Sequence, residues 1–213
     1  MRVVIVGCGE NAVQAFACLR HRPEFSLHGF LDDDPSRHGS SVCGLPVLGG
    51  VDVLTTLTAR GEELGGLVAI GNNAVRRRLT AVLRSAGVTL ISAVHPSTLI
   101  ESPKRIGVGS IIEMGAAIHA EAEIGEGVFL GGGSIVSHHS RVGDFTMIAG
   151  GVVFGGRVTV GSESLIGVGV SIKPHVTIGS RVTIGVGAAV VSDLPDDVVA
   201  MGVPARIVSR SMR

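Results

Sequence analysis

Residues 94–190 decide the fold: VHPSTLIESPKRIGVGSIIEMGAAIHAEAEIGEGVFLGGGSIVSHHSRVGDFTMIAGGVVFGGRVTVGSESLIGVGVSIKPHVTIGSRVTIGVGAAV. Every sixth residue from Val94 through Ile100, Ile106 and Ile112 to Ile178, Ile184 and Val190 is large and apolar, seventeen positions without an insertion. A helix would repeat near 3.6 and a strand at 2. A strict six is the period of a parallel β-helix built from hexapeptides. In nine of the repeats Gly follows the apolar residue, as at Gly107, Gly125, Gly143 and Gly161. The fourth residue after it is small or Val, as at Ser110, Ala116, Val128, Ser134, Thr146 and Val182. One large side chain per hexad fills the interior, a small one fits where the wall bends, and Gly is expected to permit tight corners with unusual φ. Three hexads make a coil, so residues eighteen apart stack at roughly the 4.8 Å strand spacing. About five coils form a prism on the order of 25 Å tall. A flexible Gly-rich linker would have no reason to keep an apolar register.

The bulk composition excludes several classes of function. The 213 residues suffice for one or two domains. They are 45% hydrophobic, with a mean hydropathy of +0.48, yet contain no apolar run long enough for a membrane span. Basic and acidic residues number 18 each, so no polybasic or acidic partner surface is indicated. Aromatics are 3%, without Trp or Tyr, which argues against stacking platforms for nucleic acid. The opening MRVVIVGCGEN runs into a strand and lacks a signal-peptide pattern. The three cysteines, Cys8, Cys18 and Cys43, lie early and without metal-ligand spacing, which fits a reducing cytoplasm.

Upstream of the repeats the pattern changes. RVVIVG at 2–7 reads as a buried strand, GCGENA at 7–12 as a GxGxxA turn, and Val13 to Leu19 as a helix. Gly7 permits the tight turn, Gly9 lets a phosphate approach the backbone, and the helix N-terminus supplies N–H groups. An ordinary βα turn could carry the same glycines. A second strand at 25–34 ends in Asp32, Asp33 and Asp34. Asp32 lies about twenty residues past the turn, within reach of a ribose hydroxyl; a solvated strand end is the plainer alternative. GLPVLGG at 44–50 reads as a loop, 51–60 as a helix, GLVAIGNN at 66–73 as a buried strand and turn, 74–86 as a helix, and 88–96 as a fourth strand. Arg76, Arg77 and Arg78 could meet phosphate, but a solvated helix face is the expectation. Strands alternating with helices imply a parallel sheet, and four strands amount to a Rossmann-like half-domain able to hold one nucleotide. The chain thus divides into a nucleotide-binding domain at 1–93, a parallel β-helix at 94–191, and a cap at 192–213 over the open end of the prism.

Polar corners stand out on an apolar wall. Stacking by eighteen puts Ala120, His138, Gly156 and Pro174 in one column and Glu121, His139, Arg157 and His175 in the next. Small Ala120 and Gly156 leave room beside the His138 imidazole for a thioester, and imidazole suits general-base work near neutral pH. Zinc is the competing use of His119, His138, His139 and His175. Adjacent histidines point in different directions and no second ligand pair has a convincing spacing, so no metal is expected.

The strand–GxG–helix unit, FLDDDP, AIGNN, HPSTLI, the prism with a mid-prism His, and MGVPARIV together resemble one family. These are the bacterial nucleotide-amino-sugar acetyltransferases of the sialic-acid and bacillosamine pathways, members of the hexapeptide-repeat acyltransferase superfamily. The likeness extends over essentially the whole chain. It implies that the β-helix is left-handed, and with it a homotrimer, acetyl-CoA as cosubstrate in the cleft between neighbouring prisms, and a sugar nucleotide on the N-terminal domain. The family's catalytic base matches His138, with His139 beside it. Its nucleotide contacts match Gly9, Glu10, Asn11, Asp32, Asp33 and Gly71. Its coenzyme A contacts match Met147, Val168 and Val186, and Gly156 borders the same space. Three departures stand out: Glu10-Asn11-Ala12 where the family reads Gly-His-Gly, His139 where an acidic residue follows the base, and Met147 where a second His often sits. Glu121 and Asp144 are the carboxylates positioned to replace the missing acid.

These residues lead to an acetyl-CoA-dependent N-acetyltransferase acting on a nucleotide-linked amino sugar, of the 4-amino-4,6-dideoxy type. The alternatives are a sugar or sialic acid O-acetyltransferase and a non-catalytic trimeric nucleotide-binding scaffold.

Overall fold

The computed structural model describes residues 1–59 and 63–210. It comprises an α/β half-domain with a parallel sheet followed by a left-handed parallel β-helix of hexapeptide repeats. β1 (Arg2–Val6), α1 (Glu10–Leu19), β2 (Ser26–Leu31), the short hairpin β3 (Ser41–Val42) and β4 (Leu45–Pro46), α2 (Leu54–Thr58), β5 (Leu64–Val68), α3 (Asn73–Ser85) and β6 (Thr89–Leu90) make up the first part. The sheet runs β2-β1-β5-β6, all parallel. β1 is buried on both faces, as its uninterrupted VVIV requires. The second strand of the hairpin, β4, lies in the stretch 44–50 expected to be a plain loop. The expected helix at 51–60 is a 3₁₀ turn at 51–53 followed by α2; Arg60 and the cap's last three residues, 211–213, lie outside the described residues. The strand expected over 88–96 is divided between two sheets. Thr89 and Leu90 pair with β5, whereas Ala93–Val94 already pairs with Ile111–Ile112.

Seventeen two-residue strands, β7 (Ala93–Val94) through β23 (Ala189–Val190), form the prism, five full coils and two strands of a sixth. Each of β7 to β20 pairs in parallel with the strand eighteen residues on, giving three flat faces. β24 (Val198–Met201) extends the first face and β25 (Arg206–Arg210) pairs antiparallel to it, so the open end is continued by a hairpin. The sixth-residue side chains form one buried column, among them Ile112, Ile118, Ile124, Leu130, Val136, Ile148, Phe154 and Ile166. The small positions are buried too. Where they carry a hydroxyl it bonds a corner carbonyl: Ser134 Oγ to Gly131 O at 2.6 Å, Thr146 Oγ1 to Gly161 O at 2.7 Å, Ser164 Oγ to Gly179 O at 3.0 Å. The buried hydroxyls therefore carry no unpaired polar group into the wall.

The repeat glycines are needed for a reason different from the one expected. Those following the apolar residue do not have positive φ; the left-handed corners come two residues later, at Gly109, Gly115, Gly127, Gly133, Gly151, Gly169 and Gly187, with φ of 60–72°. What fixes the first set is closeness. A Cβ on Gly161 would stand 2.5 Å from Ser180 N and one on Gly131 2.5 Å from Gly150 N, both backbone atoms of the next coil. At the equivalent corners non-Gly residues accept the left-handed geometry, as Glu121, His139, Arg157 and His175 do, with φ of 62°, 59°, 61° and 67°. The stacked bonds His139 N to Ala120 O, Arg157 N to His138 O and His175 N to Gly156 O hold that corner.

The half-domain sits on the first face. Ile111 and Phe129 point outward from the prism and are buried with Ala12, Ala15, Cys18 and Leu19 of α1 in one shared cluster, with Met147 packed at its edge. Burying two such side chains contributes about 1.5–3 kcal/mol each. Because the close approach at Gly161 is to backbone, Gly161→Ala should cost about 1–3 kcal/mol of stability. The neighbouring Ser162→Ala should stay within about 0.5 kcal/mol. Denaturant unfolding of the two variants checks this, and equal midpoints would refute the steric account.

Candidate active site

The first site lies at the carboxyl ends of β1 and β5, neighbours at the centre of the sheet. β1 continues by its crossover to β2 on one side and β5 to β6 on the other, the place where open α/β sheets bind ligands. Gly7 leaves β1 with φ +99°; a Cβ there would meet Ile70 Cγ1 at 3.0 Å and Ala69 O at 3.1 Å. Gly9 caps α1 with no side chain over its N-terminus, and no heavy atom lies within 4 Å of a Cβ built on it. A cleft of about 480 Å³ opens there, lined by Gly7, Cys8, Gly9, Glu10, Asn11, Asp32 and Ala69 to Gly71. The expected residues Gly9, Glu10, Asn11, Asp32 and Gly71 thus share one cavity.

Asp33 points elsewhere. Its Oδ1 accepts the Val51 N–H at 3.0 Å, and it lines an adjoining pocket of about 180 Å³ with Gly7, Asp32, Ile70 and Arg78. Asp32 Oδ2 accepts the Cys8 N–H at 3.0 Å and Oδ1 the Asp34 N–H at 3.0 Å, so Asp32 also shapes the turn. Burial works to raise its carboxyl, but the donors from Cys8 and Asp34 outweigh that and hold it below the usual carboxylate range. Burial first, then the Asp32 hydrogen bond and charge, push the Cys8 thiol up to about 11. Two residues absent from the sequence expectation join this rim. Arg37 Nη2 donates to Cys8 O at 3.2 Å, and His38 Nε2 lies 2.8 Å from Asp32 O. They follow the acidic run by a few residues, and no periodicity marks them.

A second cleft of about 430 Å³ continues from Gly71. It is lined by Gly71, Asn72, Asn73, Ala74 and Leu165, joining the N-terminus of α3 to the first prism face. Met147 stacks beside Leu165 on that face, half-buried against the half-domain. Val168 and Val186 stand eighteen apart at the corner that ends it, 55% and 75% exposed.

His138 and His139 occupy a different corner, between the second and third faces and opposite the first. Both are exposed, with rings edge to face at a centroid distance of 5.3 Å and Nδ1 atoms 3.1 Å apart. One Nδ1 must carry the hydrogen and the other the lone pair. With the hydrogen on His138, its Nε2 has a free lone pair and His139 fixes that tautomer. The Nε2 edge lies over Gly156, where a Cβ would stand 2.6 Å from both Nε2 and Cε1. Glu121 is drawn off by Lys104 at 3.4 Å, and Asp144 Oδ1 accepts the Glu126 N–H at 2.8 Å. Both carboxylates are engaged elsewhere, and among the described residues His139 is the side chain hydrogen-bonded to His138. Among the described residues no group of three His, Cys, Asp or Glu is arranged to hold a metal ion.

Arg76 is a correction. It does not belong to a solvated helix face: its side chain is buried beneath α3, whereas Arg77 remains exposed and pairs with Glu163 at 3.4 Å.

The PglD N-terminal domain family matches residues 2–83. Perosamine N-acetyltransferase from Caulobacter crescentus, solved as a histidine-to-asparagine variant with CoA and GDP-perosamine, is 36% identical, covering 97% of this chain and 96% of its own, with a TM-score of 0.91. The acetyltransferase domain of PglB from Neisseria gonorrhoeae, solved with acetyl coenzyme A, is 30% identical over 97% of this chain and 98% of its own, with a TM-score of 0.88. WeeI from Acinetobacter baumannii is 25% identical over 98% and 100%, with a TM-score of 0.86. No curated protein sequence matches the chain.

The environment of the three thiols makes the closure of the Gly7–Gly9 turn testable. Cys8 and Cys18 are buried, with thiols pushed up to about 11 and about 12, and Cys43 is exposed. At pH 8 only about a thousandth of a thiol of the first kind is ionised. A colorimetric disulfide reagent should therefore titrate one thiol in the native protein and three in denaturant. Fast reaction of Cys8 would show that the Gly7–Gly9 turn is not closed by Asp32.

Proposed function

The chain belongs to the nucleotide-amino-sugar acetyltransferases of the hexapeptide-repeat superfamily, an acyltransferase that uses acetyl-CoA, and from that premise we propose that its acceptor is the amine of a nucleotide-linked 4-amino-4,6-dideoxy sugar, with His138 as general base. The observation that carries this reading is the His138–His139 contact at 3.1 Å, which turns the His138 Nε2 away from its neighbour; with the Nδ1 hydrogen on His138, that Nε2 carries the free lone pair. The sugar nucleotide lies in the cleft from Gly9, Glu10 and Asn11 to Gly71, and the sugar extends toward Leu165.

The acetyl transfer follows from these groups. His138 Nε2 takes a proton from the substrate ammonium, directly or through one water. The amine nitrogen attacks the thioester carbonyl carbon, and a prism backbone N–H receives the charge developing on oxygen. As the C–S bond breaks, the imidazolium returns its proton to the departing coenzyme A sulfur, and the acylated nitrogen releases its second proton to solvent, leaving the neutral amide and the free thiol. His139 accepts the His138 Nδ1 hydrogen throughout, the orienting role that a carboxylate has elsewhere. Gly156 leaves space for the imidazole and the thioester beside it; Val168 and Val186 offer backbone and apolar surface to the pantetheine.

Geometry also supports a homotrimer with active sites between protomers, and the three free thiols support the cytoplasm as its compartment. The nucleotide cleft borders the first face, and His138 stands on the opposite corner of the same prism, so a sugar held in one cleft needs the His138 of a neighbour. The second face presents an apolar outward row that includes Leu99 at 57% and Val153 at 42% exposed, surface suited to burial in an assembly.

His138→Ala should cut kcat by about 10²–10⁴-fold while coenzyme A binding persists, and His139→Ala should cost less. Steady-state assays with an amino sugar and its hydroxyl analogue, alongside calorimetric coenzyme A binding, test this. Near-normal turnover of His138→Ala removes the proposed base. Preference for the hydroxyl analogue would make the chain an O-acetyltransferase, and coenzyme A binding with no turnover of either would make it a scaffold. Light scattering at micromolar concentration should give three times the chain mass; a monomeric mass would refute the shared site.

A further inference from the structure

The corner between the third and first faces differs from the other two because the half-domain covers it. At each corner the left-handed residue donates its N–H to the coil before, but its own carbonyl is not used in the ladder. On this corner the left-handed residues are Gly109, Gly127, Phe145, Glu163 and Arg181, and α3 lies over the carbonyls of the middle three. Buried without partners they would each carry a desolvation penalty.

α3 supplies the partners. Arg76, 1% exposed, donates from Nε to Gly127 O at 2.9 Å and from Nη2 to Phe145 O at 2.7 Å. The same guanidinium donates from Nη1 to Ile70 O at 2.8 Å and Gly71 O at 3.4 Å, and from Nη2 to Asn73 Oδ1 at 2.8 Å. Asn73 Nδ2 then reaches Glu163 O and Ser164 O, both at 3.0 Å. One planar fork therefore ties two successive coils to the loop that walls the nucleotide cleft, and its amide neighbour ties the third.

We propose that Arg76 and Asn73 are positioning residues for acetyl transfer, a clamp that holds the Gly71 wall of the nucleotide cleft at a fixed place on the prism so that the sugar amine is presented to the base. The proposal rests on the nucleotide-sugar reading of that cleft. All the direct acceptors of Arg76 are neutral oxygens, so its geometry matters more than its charge: Lys has no fork with which to bridge both domains. Burial pulls the guanidinium down to about 10, opposed by the charge of Glu163, and it stays a cation at neutral pH.

The test uses the full chain. Arg76→Gln should lower kcat with GDP-perosamine, or with the UDP- or dTDP-linked 4-amino-4,6-dideoxy sugar that the unaltered protein turns over, by about 10–100-fold, the scale of an ångström's misplacement. Coenzyme A affinity should stay within about threefold, and Arg76→Lys should not restore kcat. Hydrogen exchange should quicken at residues 64–73 and 127–146 and not at 153–190. Asn73→Ala, which removes the third tie and one acceptor of Arg76, should quicken exchange at residues 64–73 and around 163–165 with a smaller loss of kcat, and it decides the matter if Arg76→Gln does not fold. Recovery of kcat by Arg76→Lys, unchanged kcat and exchange in the Gln variant, or equal loss of coenzyme A binding would overturn the clamp. If the unaltered protein turns over none of these sugars, the functional reading fails, and the exchange pattern alone still decides whether the clamp exists.

Discussion

Everything in this molecule depends on coils stacking at a repeat of eighteen residues. A backbone N–H on one coil finds a carbonyl on the next, as Gly125 N does at Val142 O and Gly143 N at Val160 O, each at 2.8 Å. That register is kept only if each coil has the same length and the same three corners. The sixth-residue apolar side chains fill the interior, the small residues relieve the bend, and glycine stands wherever the next coil's backbone comes closer than a Cβ allows. An insertion of one residue would move an apolar side chain from the inside of the wall to the outside.

A prism so regular offers few sites, and the chemistry collects where regularity is broken. Two exposed imidazoles meet at one corner, with a glycine beneath them leaving room for the ring. The left-handed backbone of His139 is not itself a functional signal, because Glu121, Arg157 and His175 share it in the same column. The functional signal is side-chain placement: His139 contacts His138 and the nearby carboxylates are held by other partners. A neutral imidazole can fix a tautomer as a carboxylate does, though it brings no charge to stabilise an imidazolium.

The half-domain and the prism share a core, with Ile111 and Phe129 buried against α1. Apolar packing of this kind is non-directional. The hydrogen bonds of Arg76 and Asn73 are directional, and they add the orientation that packing leaves open. Both kinds of contact converge on the first face, which sets the cleft from Gly9 to Gly71 beside Leu165 and away from the prism's own His138 corner.

The periodic part of this fold was legible in the sequence, because a contact between residues eighteen apart recurs and leaves a repeat to count. The seventeen apolar positions, the three-faced prism and the GxGxxA turn with Asp32 were read that way, and so was the stacking of Gly156 against His138. The physical role of the repeat glycines was not, since a forbidden Cβ and a positive φ leave the same letter. Nor was Arg76, which looked like one of three solvated arginines. Its partners lie 51 and 69 residues away on a corner that any helix could have covered. Such contacts occur once, so no period reveals them. Only the folded chain shows which carbonyls need a donor, which side chain reaches them, and on which side of the prism the two halves of the chemistry stand.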